Sequence, residues 1–134
     1  MDVTGSCFCG NVRFAASIDP EAVVVCHCEQ CQRLSGSPYR VSVLVAREDV
    51  EILSGVLREY WKMAESGAKR AQAFCETCGG PVFSRGEGEA ANDWALRWGL
   101  IDQRAALPPK RQIWCEAAAP WINALEMLPG EARE

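Results

Sequence analysis

Long apolar runs are missing from this sequence. The longest, Ala22 to Cys26, falls far short of the ~20 residues a helix needs to cross a bilayer, so no membrane association is expected. Met1-Asp2-Val3-Thr4-Gly5 lacks the basic region and apolar stretch of a secretory leader, and a reducing, cytoplasmic setting is expected. An excess of basic residues is missing as well: 14 Lys and Arg stand against 18 Asp and Glu, for a net charge of −4. That balance offers no electrostatic footprint for a phosphate backbone, so nucleic acid is not an expected partner. No repeat, low-complexity stretch or linker divides the 134 residues, and the composition excludes a disordered, collagenous or coiled-coil chain. A single domain over 1–134 is expected. Oligomeric state has no signature in the sequence.

What is present is a succession of short strand-like runs separated by Gly, Pro and Ser, the pattern of a mainly β domain. Strands are expected over Asn11–Ile18, Ala22–Cys28, Tyr39–Val45, Leu57–Met63, Arg70–Phe74, Pro81–Ser84, Asp93–Gly99 and Arg111–Glu116. Glu48–Ile52 reads as a turn leading into another strand. Helix is expected only as a turn around Glu29–Leu34 and over Trp121–Met127. Trp94, Leu96 and Trp98 share one strand face, and Leu57, Trp61 and Met63 share another; both stripes read as core.

Cysteine is the residue in excess, with eight against a single histidine. In a reducing compartment such clusters read as metal or redox sites rather than disulfides. Cys7 and Cys9 form Cys-Xaa-Cys; Cys26, Cys28 and Cys31 form Cys-Xaa-Cys-Xaa-Xaa-Cys; Cys75 and Cys78 form Cys-Xaa-Xaa-Cys. In an extended strand residues i and i+2 point the same way, so each Cys-Xaa-Cys can grip one ion. Phe8 then turns outward, and His27 points away from Cys26 and Cys28, hydrogen-bonded beside the site rather than ligating. The glycines after Cys9 and Cys78 let backbone amides approach the sulfurs. Seven clustered thiols divide naturally into four and three. Cys7, Cys9, Cys75 and Cys78 can close a tetrahedral structural zinc site, while Cys26, Cys28 and Cys31 leave a position open, as in catalytic zinc. The alternative is one zinc, with the triad as reduced thiols or a redox disulfide. Cys115 stands apart and reads as a buried apolar filler.

Three stretches carry a family likeness: Gly5-Ser6-Cys7-Phe8-Cys9-Gly10-Asn11-Val12-Arg13-Phe14, then Cys26-His27-Cys28-Glu29-Gln30-Cys31 through Tyr39, then Phe74-Cys75-Glu76-Thr77-Cys78-Gly79-Gly80-Pro81-Val82-Phe83. The chain resembles the glutathione-dependent formaldehyde-activating enzyme family, which includes the centromere protein V domain. The likeness runs from Gly5 to about Pro129. It implies a zinc-stabilised β-tent of small antiparallel sheets, a structural zinc on Cys7, Cys9, Cys75 and Cys78, and a labile zinc on Cys26, Cys28 and Cys31. The implied activity is condensation of glutathione with formaldehyde to S-hydroxymethylglutathione, a carbon–sulfur lyase reaction in reverse. Two positions depart from the family pattern. Gln112 stands where a histidine often precedes Ile-Trp, and an amide cannot act as a general base. Leu100 replaces a small polar residue after Gly99.

On this reading Cys26, Cys28 and Cys31 are the catalytic ligands, and a small thiol such as glutathione is the partner. Carboxylates of that substrate call for cations, and Arg33, two residues past Cys31, is the best placed by sequence. Arg40, Lys62, Arg70 and Arg97 read first as surface cations on half-exposed strands. Ser35-Gly36-Ser37-Pro38 reads as a turn whose Ser35 and Ser37 hydroxyls can line the site mouth. Two other functions compete: a non-catalytic zinc-stabilised module that binds a protein or thiol, and a redox or metal sensor built on the triad.

Overall fold

Alternation along one strand sets the frame of the molecule. Strand β4 (Arg40–Ala46) reads Arg-Val-Ser-Val-Leu-Val-Ala. Successive side chains of a strand point to opposite faces. Val43 is buried in the hydrophobic core with Val41 and Val45 packed against it, while Arg40, Ser42 and Leu44 line a cleft on the other face. The computed structural model describes residues 1–134 as a mainly β protein. A three-stranded sheet runs in the order β1 (Asp2–Ser6), β2 (Arg13–Ser17), β5 (Val50–Ser54). A seven-stranded sheet runs β10 (Arg111–Ile113), β3 (Val23–Cys26), β4, β9 (Asp93–Arg97), β8 (Pro81–Arg85), β7 (Lys69–Cys75), β6 (Leu57–Met63). Every ladder is antiparallel except β10 with β3, which is parallel. The single α-helix, α1 (Glu29–Ser35), follows β3 and ends at Gly36 in the left-handed conformation.

The core lies between the sheets. The small sheet contributes Val3, Phe14, Ala16 and Val50; the large one contributes Val23, Val43, Ala73, Phe83, Trp94 and Leu96. Phe83 and Trp94 stack with ring planes 10° apart. Ile101 and Leu107 close the core from the chain after β9, where the Trp98 indole N–H donates to the Leu107 carbonyl at 2.8 Å. Trp94 and Leu96 are thus core, as their spacing suggests.

The structure corrects several expectations. Strand β1 adds to the expected strands: Asp2-Val3-Thr4-Gly5-Ser6 has little apolar content and forms a strand by pairing with β2 from Asp2↔Ser17 to Ser6↔Arg13. The stripe on β6 reaches the core only at Leu57: Trp61 and Met63 are exposed, since β6 is the edge of its sheet. Trp61 is covered instead by the Arg85 guanidinium, 5.0 Å from its ring centroid. The last strand stops at Ile113 because Trp114 takes φ 56°, a left-handed conformation that ends strand pairing. The helical segment expected near Trp121–Met127 forms, as the 3-10 helix Ile122–Met127. Cys115 is exposed, not buried, since the turn after Trp114 carries it out of the sheet. No helix of the chain is long and apolar enough to cross a membrane.

Candidate metal centres and active-site cleft

The two sheets are joined at hairpin tips. Between β1 and β2 the Cys7 N–H donates to the Val12 carbonyl at 3.0 Å, and between β7 and β8 the Cys75 N–H donates to the Gly80 carbonyl at 2.9 Å. Each hairpin therefore places one cysteine at the base of its loop and a second, Cys9 or Cys78, within it. Gly10 (φ 82°) and Gly79 (φ 72°) take the left-handed turn that closes each loop, a conformation costly for side chains with a Cβ. Cys7 and Cys9 thus meet through a turn, not by strand alternation as their spacing suggests; Phe8 is 97% exposed at its tip. The four sulfurs lie within 4.8 Å of one another, with Cys7 Sγ to Cys9 Sγ at 3.5 Å and Cys9 Sγ to Cys75 Sγ at 3.7 Å. The Asn11 amide donates to Thr77 Oγ1 at 3.0 Å, tying the tips together.

Backbone amides complete this group. Val12 N–H points at Cys7 Sγ at 3.3 Å and Thr77 N–H at Cys75 Sγ at 3.4 Å. The N–H groups of Cys9 and Gly80 hold the Cys78 thiol down to about 6. Donors aimed at sulfur favour the thiolate, the form that binds metal.

The triad forms where β3 runs into α1. Cys26 ends the strand, Cys28 is the N-cap of the helix, and Cys31 lies in its first turn. The Cys28 sulfur accepts from the Cys31 N–H at 3.3 Å, so one atom serves both helix capping and the cluster. The three sulfurs lie within 4.8 Å of one another. Their protons are shared unequally. The Cys26 thiol's hydrogen bond, against the opposing effect of burial, holds Cys31 down to about 5, with help from Arg40, while the same bond pushes Cys26 up. Both cysteine groups can hold a metal ion.

His27 projects to the other side of the strand, 2% exposed, with Nε2 donating to Gln112 Oε1 at 2.8 Å and its ring edge-on to Tyr39. This is the hydrogen-bonded place expected of it, and it accounts for Gln112. Replacing Gln112 with leucine removes the acceptor from a buried N–H and is expected to cost about 1–3 kcal/mol of stability by urea denaturation. A change below ~0.5 kcal/mol, the range of an ordinary surface substitution, would contradict it.

The triad opens on a cleft of about 300 Å³ on the face of the large sheet turned away from the core. Its floor is polar. Arg40 and Arg97 are 7% and 6% exposed. Both donate to Gln72 Oε1 at 3.0 Å, and Arg97 also donates to Ser42 Oγ at 2.8 Å. Burial and the neighbouring Arg40 charge pull the Arg97 guanidinium down to about 9, so it stays charged at neutral pH. Arg70 donates to Ser84 Oγ at 3.3 Å, and Lys62 donates to Gln30 Oε1. Burial lowers Lys62 too, partly offset by the triad's charge. Trp114 and Ile113 form part of the wall.

The surface reading of these cations is corrected for Arg40 and Arg97, which are buried because alternate residues of β4 and β9 turn into the cleft. Arg33, favoured by its nearness to Cys31, lies elsewhere: it pairs with Glu29 on the exposed side of α1, at 2.8 Å. It borders a shallow concavity with Gly36, Ser37, Pro38 and Trp121, and neither Ser35 nor Ser37 lines the triad's cleft. Ser35 Oγ is buried without a partner. Two residues of helix rotate a side chain by about 200°, so Arg33 lies on the side of α1 opposite Cys31, which is why proximity in sequence misleads. Leu100 packs against the core and does not reach the cleft.

Two cysteine groups able to hold metal ions, one closed between two hairpins and one open on a cationic cleft, mark a small β protein with two candidate metal sites. The family profile described as glutathione-dependent formaldehyde-activating enzyme matches residues 2–117, and the chain belongs to this family. A crystal structure of a Rhodobacter sphaeroides protein, a structural genomics target, is similar with a TM-score of 0.61 at 16% identity, covering 81% of this chain and 98% of that one. At that identity the likeness is one of fold. No curated protein matches the chain.

Proposed function

We propose that zinc occupies both cysteine groups and that the chain catalyses addition of a small thiol to formaldehyde, glutathione giving S-hydroxymethylglutathione, or the reverse carbon–sulfur cleavage, in a cytoplasmic setting. The observation that carries this reading is the contrast between the groups: four cysteines close on one another, while three open on a cation-lined cleft. The sulfur separations of 3.5 and 3.7 Å in the closed group fit the metal. A tetrahedron with Zn–S bonds of ~2.3 Å has edges of ~3.8 Å, whereas a disulfide would need ~2.05 Å.

Zinc at the triad supplies a Lewis acid that keeps a substrate sulfur as thiolate and polarises a carbonyl. Cys26, Cys28 and Cys31 are the residues that would hold it. In the addition, the substrate sulfur forms the new bond to the formaldehyde carbon, the carbon–oxygen π bond breaks, and the thiol proton ends on oxygen. Arg40, Arg97, Arg70 and Lys62 hold a positive field over the cleft that favours the thiolate and the developing oxyanion. They take the substrate-binding role expected of Arg33, Ser35 and Ser37. With Gln112 committed to His27, no imidazole acts at this site, and proton delivery falls to Lys62 or solvent.

Reductively purified, zinc-loaded protein is expected to accelerate S-hydroxymethylglutathione formation, followed by NMR of the new methylene group. Binding of glutathione without acceleration would make the chain a thiol-binding module. A single zinc per chain with no response to glutathione would sink the reading altogether.

A further inference from the structure

The floor of the cleft carries more positive charge than the triad accounts for. Arg40 and Arg97 are buried, share a single acceptor in Gln72, and each keeps a buried Nε without a partner. Neither belongs to any of the molecule's ion pairs, which join Arg33 to Glu29, Arg58 to Glu76, Arg85 to Glu59 and Lys110 to Glu21. Burying two adjacent guanidinium groups without a carboxylate is costly, and the cost is recovered when an anion completes their hydrogen bonds. Three thiolates around a zinc ion carry one negative charge between them. Arg40, Lys62, Arg70 and Arg97 face that charge together with one exposed carboxylate, Glu65, so the cleft remains cationic with its metal bound.

The place of this surplus is defined by the sheet. Arg40 is the cross-strand partner of Cys26, and directly opposed residues have Cβ atoms ~5 Å apart. Arg97 pairs with Ser42, two residues further along β4 on the same face. The planar guanidinium groups present a fork suited to carboxylate oxygens. We propose that Arg40 and Arg97, held side by side by Gln72, form a carboxylate subsite in the cleft floor, so that the preferred substrate is a compact thiol bearing a carboxylate close to its sulfur. This deepens the thiol reading and rests on it. Gln72 is a positioning residue; Ser42 and Ser84 complete the polar floor.

The test compares 3-mercaptopropionate with its uncharged amide, 3-mercaptopropionamide, by calorimetric titration of zinc-loaded protein, with glutathione as reference. The carboxylate disfavours ionisation of its own thiol, so a preference for the acid cannot come from the sulfur end. Wild-type protein is expected to bind the acid at least ~10-fold more tightly than the amide, the size of one charge-assisted hydrogen bond gained. In Arg40→Gln the two affinities are expected to converge within ~2-fold through loss of the acid's advantage alone, as removing one such bond requires. Equal binding by wild type overturns the subsite and leaves the thiol reading standing. A preference that survives in Arg40→Gln overturns its assignment to this arginine pair. Failure of all three thiols to bind sinks the thiol reading and the subsite together. Should Arg40→Gln not fold, Arg97→Gln is read in the same way, with the same two outcomes.

Discussion

Cys75→Ala is expected to abolish cooperative folding of the zinc-loaded protein. Cys75 is 1% exposed at the base of the β7–β8 loop, and its sulfur lies 3.7 Å from that of Cys9 in the β1–β2 loop of the other sheet. A structural zinc contributes an apparent ~10–16 kcal/mol to folding, as large as the ~5–15 kcal/mol net stability of a typical domain. Loss of one of four ligands forfeits much of that energy and leaves three thiols at a hairpin tip with no closed shell. The small sheet suffers most, because Cys7 and Cys9 belong to its β1–β2 hairpin and a metal held by the four cysteines would tie them to the large sheet. Near-ultraviolet circular dichroism during a thermal scan should show no sigmoidal transition for the variant, and chelator should do the same to wild type. A variant melting like wild type, with chelator without effect on either, would mean that the core between the sheets holds the fold without metal.

Cys28→Ser is expected to do the opposite, removing chemistry while sparing the fold. Serine is among the preferred N-cap residues, so its hydroxyl can take over the bond that the Cys28 sulfur accepts from Cys31 N–H. The thiolate is lost, and with it the third soft ligand of the triad. Partners that merely orient metal ligands are worth 10–100-fold in metal affinity, so losing a ligand itself should exceed ~100-fold at this site. Metal analysis should then find zinc only at the four-cysteine group, the melting curve should stay near wild type, and turnover of thiol and formaldehyde should fall to background. Wild-type turnover in a variant that has lost the triad metal would separate the activity from Cys26, Cys28 and Cys31.

Opposite outcomes from two cysteines reflect where each sits. Cys75 ties sheet to sheet; Cys28 sits at the start of a short helix beside a cleft whose floor is held by Arg40, Arg97, Gln72 and Ser42 without its help.

Some of this was legible in the residues alone because it is local. Metal ligands must converge within a few ångströms, and short spacings such as Cys26-His27-Cys28-Glu29-Gln30-Cys31 achieve that through their own backbone. The division into four and three cysteines, the α1 turn and the inward His27 match the structure, whereas Phe8 points outward because it sits at the tip of a turn and not through strand alternation. Strand β6 over Leu57–Met63 is equally plain from its sequence, but its place at the sheet edge is not, and that edge position leaves Trp61 and Met63 outside the core their spacing suggests.

The cleft was decided by tertiary structure. Arg40 and Arg97 look like surface cations in isolation, since nothing within β4 or β9 reveals that the polar face of both strands is covered. The one hint, alternation of Arg40, Ser42 and Leu44 against Val41, Val43 and Val45, says that two faces differ without saying what meets the polar one. Register supplies the answer by setting Arg40 against Cys26 and Arg97 against Ser42, from segments far apart in the chain. The reverse error with Arg33 has the same cause, because a helix rotates adjacent residues to different sides. By itself the sequence determined which thiols can serve as ligands, since that depends on chemical type and short spacing. Only the tertiary structure decided which charges face them, because strand pairing between distant segments controls burial and neighbours.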